Sequence, residues 1–218
     1  SITCEMFGAN ALIAELDEIF GEKVRVQRVP CVGRCHGAPV AVVGQNAIER
    51  ADTASLFERV EQRATAPQPT SHIPFDEYCN VGGYELLKKC VGGEFQREAV
   101  IDILADSGLR GLGGAGFPAG RKWSILRGQP APRLIAVNID EGEPGTFKDR
   151  YYLERDPHRF LEGLLIAAWA IEAEACYIYL RDEYAACRRM LVDELTRLAA
   201  DPPVPLPVME LRRGAGAY

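Results

Sequence analysis

The chain has 218 residues, 47% apolar and 26% charged, a make-up that suits a folded globular protein and gives enough length for one large domain or two small ones. A net charge of -6, with no long Lys/Arg cluster, argues against nucleic acid or an anionic membrane as the main partner, and no apolar run approaches the roughly 18 residues of a membrane span. Seven cysteines, an odd number, and no signal peptide point to a reducing, cytoplasmic compartment where thiols serve metal, redox or packing roles.

In chain order, residues 8–19 carry a helical stripe of Ala11, Leu12, Ala14, Leu16 and Ile19, and 23–29 alternate Val24, Val26 and Val29 with charges like a half-buried strand. Residues 39–43 and 47–50 read as further strands, and 52–62 as a helix capped by Asp52 or Thr53. Residues 64–71, with two prolines and no large apolar side chain, read as a linker running on to Gly82 or Gly83. Helices are expected at 84–89 and 96–105, followed by a long Gly-rich loop. Strands then fit 133–137, 175–180 and 207–211, alternating with helices at 158–171 and 183–199, so an α/β domain with a parallel sheet covered on both faces is expected from about residue 84. The chain starts at Ser1 without an initiator Met and stops in a Gly/Ala stretch, so both ends are expected to be cut.

Three constellations could carry chemistry. Cys4 and the C-x3-C pair Cys31 and Cys35 could converge on one metal centre, iron–sulfur or zinc, or could be three buried thiols in a small core. Between Ser107 and Trp123 the glycines are dense enough for backbone amides to face an anion, with Lys122 adding charge, which suggests a nucleotide. Gly111, Gly113 and Gly116 fit G-x-G-x-x-G, yet a helix rather than a strand precedes them, and Arg121 stands where a P-loop needs its second glycine. Third, Asn138, Asp140, Glu141 and Glu143 follow a buried strand at its carboxyl end, where open α/β sheets bind ligands. These acids could serve acid/base chemistry, bind Mg2+ or form a solvated turn. Cys79, Cys90, Cys176, Cys187, His72 and His158 read as structural.

The stretches Ile2-Thr-Cys-Glu-Met-Phe-Gly-Ala9 and Pro30-Cys-Val-Gly-Arg-Cys-His-Gly-Ala-Pro39 resemble the thioredoxin-like [2Fe-2S] domain of the 24 kDa subunit of NADH dehydrogenases. The resemblance implies Cys4, Cys31 and Cys35 as cluster ligands, with the fourth ligand outside the chain. The Gly-rich loop, the segment 138–149, Asp156-Pro157-His158 and the terminal Arg213–Tyr218 region resemble the 51 kDa flavin-binding subunit of the same enzymes. Having both in one chain is most similar to the beta subunit of NAD-dependent formate dehydrogenases, with complex I and NAD-reducing hydrogenase as related settings and a cofactor-free assembly module as the alternative class. The fold implied is α/β: a partial thioredoxin-like ferredoxin domain over 1–65, a linker over 66–83, and part of a Rossmann-like FMN-binding domain over 84–218.

The resemblance further implies that Gly111, Gly113, Gly114, Lys122, Asn138, Asp140, Glu141 and Tyr218 contact FMN, while Phe117 stacks on the NADH adenine and Glu143 contacts the dinucleotide. Ile125 stands where a second stacking aromatic is expected. Hydride transfer from NADH to flavin needs no side-chain nucleophile or base, so no catalytic residue is expected. A [4Fe-4S] cluster is expected only in a later cysteine-rich region, and the partners implied are NAD(H) and other dehydrogenase subunits, a molybdenum or tungsten formate dehydrogenase alpha subunit among them.

Overall fold

A computed structural model describes residues 1–216. The chain opens with a short helix, α1 (Ile2–Met6), and α2 (Ala9–Phe20), whose Leu16 and Phe20 are buried. After a 3-10 turn at Gly21–Lys23 the backbone extends, with Val24 at φ -134 and ψ 126. The strand expected at 23–29 does not form. Val24 and Val26 still pack with Leu16, Phe20, Ala51 and Leu56 while Val29 is exposed, and among the described residues no neighbouring strand hydrogen-bonds to the segment. A strand pattern specifies a pleated, half-buried surface and does not supply the partner that makes a ladder. The hairpin of β1 (Ala41–Val43) and β2 (Asn46–Ile48) is antiparallel, turning through Gly44 at φ +65. Helix α3 (Thr53–Glu61) starts at Asp52, whose carboxylate accepts from the Ser55 amide at 2.7 Å in a capping box.

The stretch 66–83 differs from the expected linker in its second half. Helix α4 (Phe75–Asn80) forms there, and the rings of Phe75 and Tyr78 are buried against Tyr84 and His158. Helices α5 (Glu85–Val91), α6 (Arg97–Asp106) and α7 (Ala119–Arg127) follow. Then come β3 (Arg133–Ile139), α8 (Lys148–Leu153), α9 (Pro157–Ile171), β4 (Ala173–Leu180), α10 (Ala185–Ala200) and β5 (Val208–Arg213). Helices α7 and α8 lie in segments read from sequence as loop, because glycine-rich and acidic flanks hide their short apolar faces.

The sheet is wholly parallel in the order β3-β4-β5, as strand–helix alternation predicts. One face carries Ile135, Val137, Ile139, Cys176, Ile178, Leu180, Met209 and Leu211 into the main core with α9 and α10. The other face is open at its edge strands: Leu134 is 53% exposed and Val208 58%, and Ala136 and Asn138 further along β3 are exposed, while Ala175 of the central strand is buried. This is why β3 alternates between half-buried and exposed positions instead of reading as a fully buried strand. Cys90, Cys176 and Cys187 are buried packing residues, as expected.

Candidate functional site

The Gly-rich loop between α6 and α7 closes on itself. Its ends are tied by Gly111 N to Phe117 O at 3.0 Å and Ala119 N to Leu109 O at 2.8 Å, and Arg110 reaches back to the Gly116 carbonyl at 3.0 Å. The Gly111 amide is therefore used internally. No backbone hydrogen bond among the described residues engages the amides of Gly113 or Gly114. A Cβ at Gly113, Gly114 or Gly116 would meet nothing, and Gly114 lies at φ +105, so the tip is open to a close-approaching ligand. Lys122 sits exposed in the first turn of α7 with no ion-pair partner among the described residues. Phe117 is 39% exposed, with the Arg121 guanidinium 5.8 Å from its centroid. Ile125 is also exposed.

The turn after β3 separates its three carboxylates by direction. Asn138 Oδ1 accepts from the Asp140 amide at 2.9 Å, a local turn that halts the strand. Glu143 projects to solvent, while Asp140 is half-buried. Glu141 points inward. Its carboxylate accepts from Tyr184 Oη at 3.0 Å and from the Asp149 amide at 3.2 Å, with Lys148 Nζ 3.9 Å away. Burial and the Glu141 charge push the Tyr184 phenol well above its usual range. The Glu141 oxygens are thus engaged inside the fold, and its carbonyl accepts from Arg181. Tyr218 lies outside the described residues.

Arg181 follows β4 at the carboxyl edge of the sheet and is 1% exposed. One guanidinium nitrogen donates to the Glu141 carbonyl, another to the Cys31 carbonyl, and Nε bonds Glu183 at 2.9 Å. Arg150, also buried, donates to the Gly33 carbonyl at 3.1 Å, to Glu154 at 2.6 Å and to His36 Nδ1 at 3.3 Å. The C-x3-C loop is thereby seated on the acidic turn. Gly33 itself lies at φ +69 with the Tyr184 ring where a Cβ would go.

Within that loop Cys31 Sγ and Cys35 Sγ stand 3.3 Å apart. The Gly33 amide donates to Cys31 at 3.4 Å and the Gly145 amide to Cys35 at 3.2 Å. Burial opposes ionisation of Cys31, but the Gly33 amide, Cys35 and the Arg181 charge outweigh it and hold its pKa below the ordinary thiol value. Burial and the neighbouring Cys31 push Cys35 up. Cys4, half-buried, is not gathered with the pair: among the described residues no group of three or more His, Cys, Asp or Glu side chains is placed to hold a metal ion. The two gathered thiols are fewer than the four ligands of a [2Fe-2S] cluster, and Cys4 lines the same cleft as Cys31.

Sequence reasoning missed Arg150, Arg181, Tyr184 and Gly145. Only Arg181 carried a signal, a charged residue directly after an apolar strand at the sheet's carboxyl edge.

The Gly-rich loop and α7 precede β3 of the parallel sheet, and the acidic turn follows it. Residues 104–218 match the Nuo51 FMN-binding domain (Complex1_51K), more than half of the chain, and the protein belongs to that family. It is 39% identical over 172 residues to an NADH-quinone oxidoreductase subunit of Rhizobium meliloti (strain 1021), covering 75% of this chain and 40% of that relative. It is 44% identical over 149 residues to the corresponding NADH-quinone oxidoreductase subunit of Aquifex aeolicus (strain VF5), covering 68% and 34%. A crystal structure of NAD+-reducing [NiFe]-hydrogenase in the air-oxidized state superposes with a TM-score of 0.78 at 29% identity, over 100% of this chain and 42% of that one. The chain spans less than half the length of each of these relatives.

Proposed function

We propose that this chain is the FMN- and NAD(H)-binding part of an electron-transfer subunit in a multi-subunit dehydrogenase. The observation that carries the reading is the open tip of the Gly-rich loop, with the Gly113 and Gly114 amides unengaged and Lys122 unpaired, inside the segment matched to the FMN-binding family. Unengaged amides and an unpaired ammonium in one loop–helix segment suit the phosphate of FMN. Gly111 holds the loop closed rather than donating to the ligand.

Asn138 and Asp140, at the carboxyl end of β3, would orient the flavin ring, and Phe117 and Glu143 would receive the adenine and the rest of the dinucleotide. When bound, FMN supplies hydride acceptance from NADH and single-electron release. The residues of this chain bind and orient, and none is assigned as acid, base or nucleophile. No electron step is assigned to an iron–sulfur cluster on Cys4, Cys31 and Cys35.

For the biological setting we propose a cytoplasmic NAD-dependent formate dehydrogenase, with a molybdenum- or tungsten-containing alpha subunit as partner. The support is the joining of the cysteine motif and the flavin motif in one chain. No helix among the described residues is long and apolar enough to cross a membrane. A NAD-reducing hydrogenase is the second reading, favoured by the solved relative that spans the whole of this chain. The two-domain division at 1–65 and 84–218 belongs to the same proposal, supported by two separate apolar clusters, one between Leu12 and Val60 and the other from Ile73 onward.

Titration of the purified chain with FMN, followed by flavin fluorescence, tests the site. Lys122→Ala should weaken binding by about 1–3 kcal/mol, the range for a charged hydrogen bond. An unchanged affinity would remove the loop from the site, and a wild-type chain that takes up no FMN would sink the function.

A further inference from the structure

Of the three carboxylates in the turn after β3, Glu141 alone is buried, and the side chain that meets it there comes from the start of α10. Tyr184 is the N-cap of that helix. Its amide donates to the Arg181 carbonyl at 3.2 Å and its carbonyl accepts from the Arg188 amide at 2.8 Å, so the backbone that carries the ring is fixed. The residue is 2% exposed, and Gly33 closes on the ring so tightly that a Cβ there would come within 2.5 Å of it. From this seat Oη donates to the Glu141 carboxylate at 3.0 Å. The Asp149 amide is shared between the two carboxylate oxygens at 3.2 and 3.3 Å, and the exposed Lys148 ammonium stands 3.9 Å off.

We infer that Tyr184 is a positioning residue: its hydroxyl turns the Glu141 carboxylate into the fold, which leaves Asp140 and Glu143 as the acids of the turn that a ligand can meet. The inference rests on the flavin reading of that turn and adds the residue that sets how much charge the turn presents.

A carboxylate shut away from water is stable only while its hydrogen bonds are made. Without the Tyr184 hydroxyl, one shared amide is the sole hydrogen-bond donor left to Glu141 among the described residues. The carboxylate then exchanges its buried place for water. On the solvent side it adds a third negative charge to the turn, which opposes an anionic ligand such as FMN. The effect runs through charge, so it disappears when Glu141 carries none.

Tyr184→Phe, made in the wild-type chain and again in Glu141→Gln, separates positioning from plain loss of packing. Phenylalanine keeps the ring against Gly33, and far-ultraviolet circular dichroism should stay native throughout. In the wild-type background the substitution should weaken FMN binding, read by flavin fluorescence, roughly tenfold, the scale for a charged group that loses a partner. Hydrogen exchange at the Asp149 amide should quicken, because its acceptor has left. In the Glu141→Gln background both effects should shrink to little, since a neutral amide can stay inside and still accept from Asp149. Equal effects in the two backgrounds would mean that the ring merely packs, and would overturn the proposal. So would a Tyr184→Phe chain that binds FMN as tightly as wild type with the Asp149 amide still protected. If the wild-type chain takes up no FMN, the flavin reading fails separately and amide exchange alone decides the positioning role: background-dependent quickening supports it, and background-independent quickening or none overturns it.

Discussion

Gly120, at the second position of α7, shows how tightly one residue can fix a neighbour. A Cβ there would collide with the backbone nitrogen and Cα of Ala105, so α6 and α7 meet backbone to backbone. Gly120→Ala should therefore destabilise the fold by about 1–3 kcal/mol, the range for overpacking. Chemical denaturation reads this directly, and a midpoint matching wild type would mean that the helices part freely. In the sequence Gly120 is one of several close-set glycines and looks like part of a phosphate loop. Only the packing separates it from Gly113 and Gly114, whose missing side chains leave open space. Glu141 makes the same point from the acidic side. Its motif placed it in the turn correctly, but its inward orientation depends on Tyr184 and Arg181, some forty residues downstream, and no local spacing encodes such a contact.

At the scale of elements, α10 ties down the connector and α9 through one carboxylate. Glu194 accepts from His72 Nε2 at 2.8 Å, from His158 Nε2 at 2.7 Å and from the Phe75 amide at 3.2 Å. With Nε2 donating, His158 Nδ1 is the acceptor for Tyr84 Oη at 2.8 Å, which satisfies the neutral ring. Burial lowers the His158 pKa below 6.5 despite the Glu194 charge. The Glu194 carboxyl is held below its usual value, since its hydrogen bonds from His72, His158 and Phe75 outweigh the burial that opposes them.

Both shifts act in the same direction. The unfolded chain takes up each proton first, so stability is complete above about pH 6.5, the ordinary histidine value. It falls as pH drops through the histidine window and again below the ordinary carboxylate range. Melting temperature should be flat at neutral pH and decline below that point, and His158→Gln should remove the upper step. An acid-insensitive wild type between pH 5 and 7 would contradict this arrangement.

Periodicity recovered every long element of this part of the fold, because α9, β4 and α10 bury continuous apolar faces. It misjudged 23–29 and 75–80 for opposite reasons. The first has a strand pattern without a strand beside it, and the second buries two aromatic rings from a stretch whose neighbouring prolines read as linker.

At the scale of the whole molecule, the N-terminal and C-terminal halves meet through buried arginines rather than through the connector. Arg150 and Arg181 reach back to Gly33 and Cys31, and Arg34 reaches forward to Glu154 at 3.0 Å. A protease that nicks the exposed Pro-containing stretch near residues 66–69 should therefore give two peptides that still travel together. Gel filtration of the clipped protein in ordinary buffer should show one peak at the intact size, resolving into two only in urea. Separation without denaturant would show that the arginine contacts are too weak to hold the pieces. If they do hold, the covalent joint between the halves is dispensable once folding is complete, and the same surface could be inherited by a pair of independently encoded polypeptides.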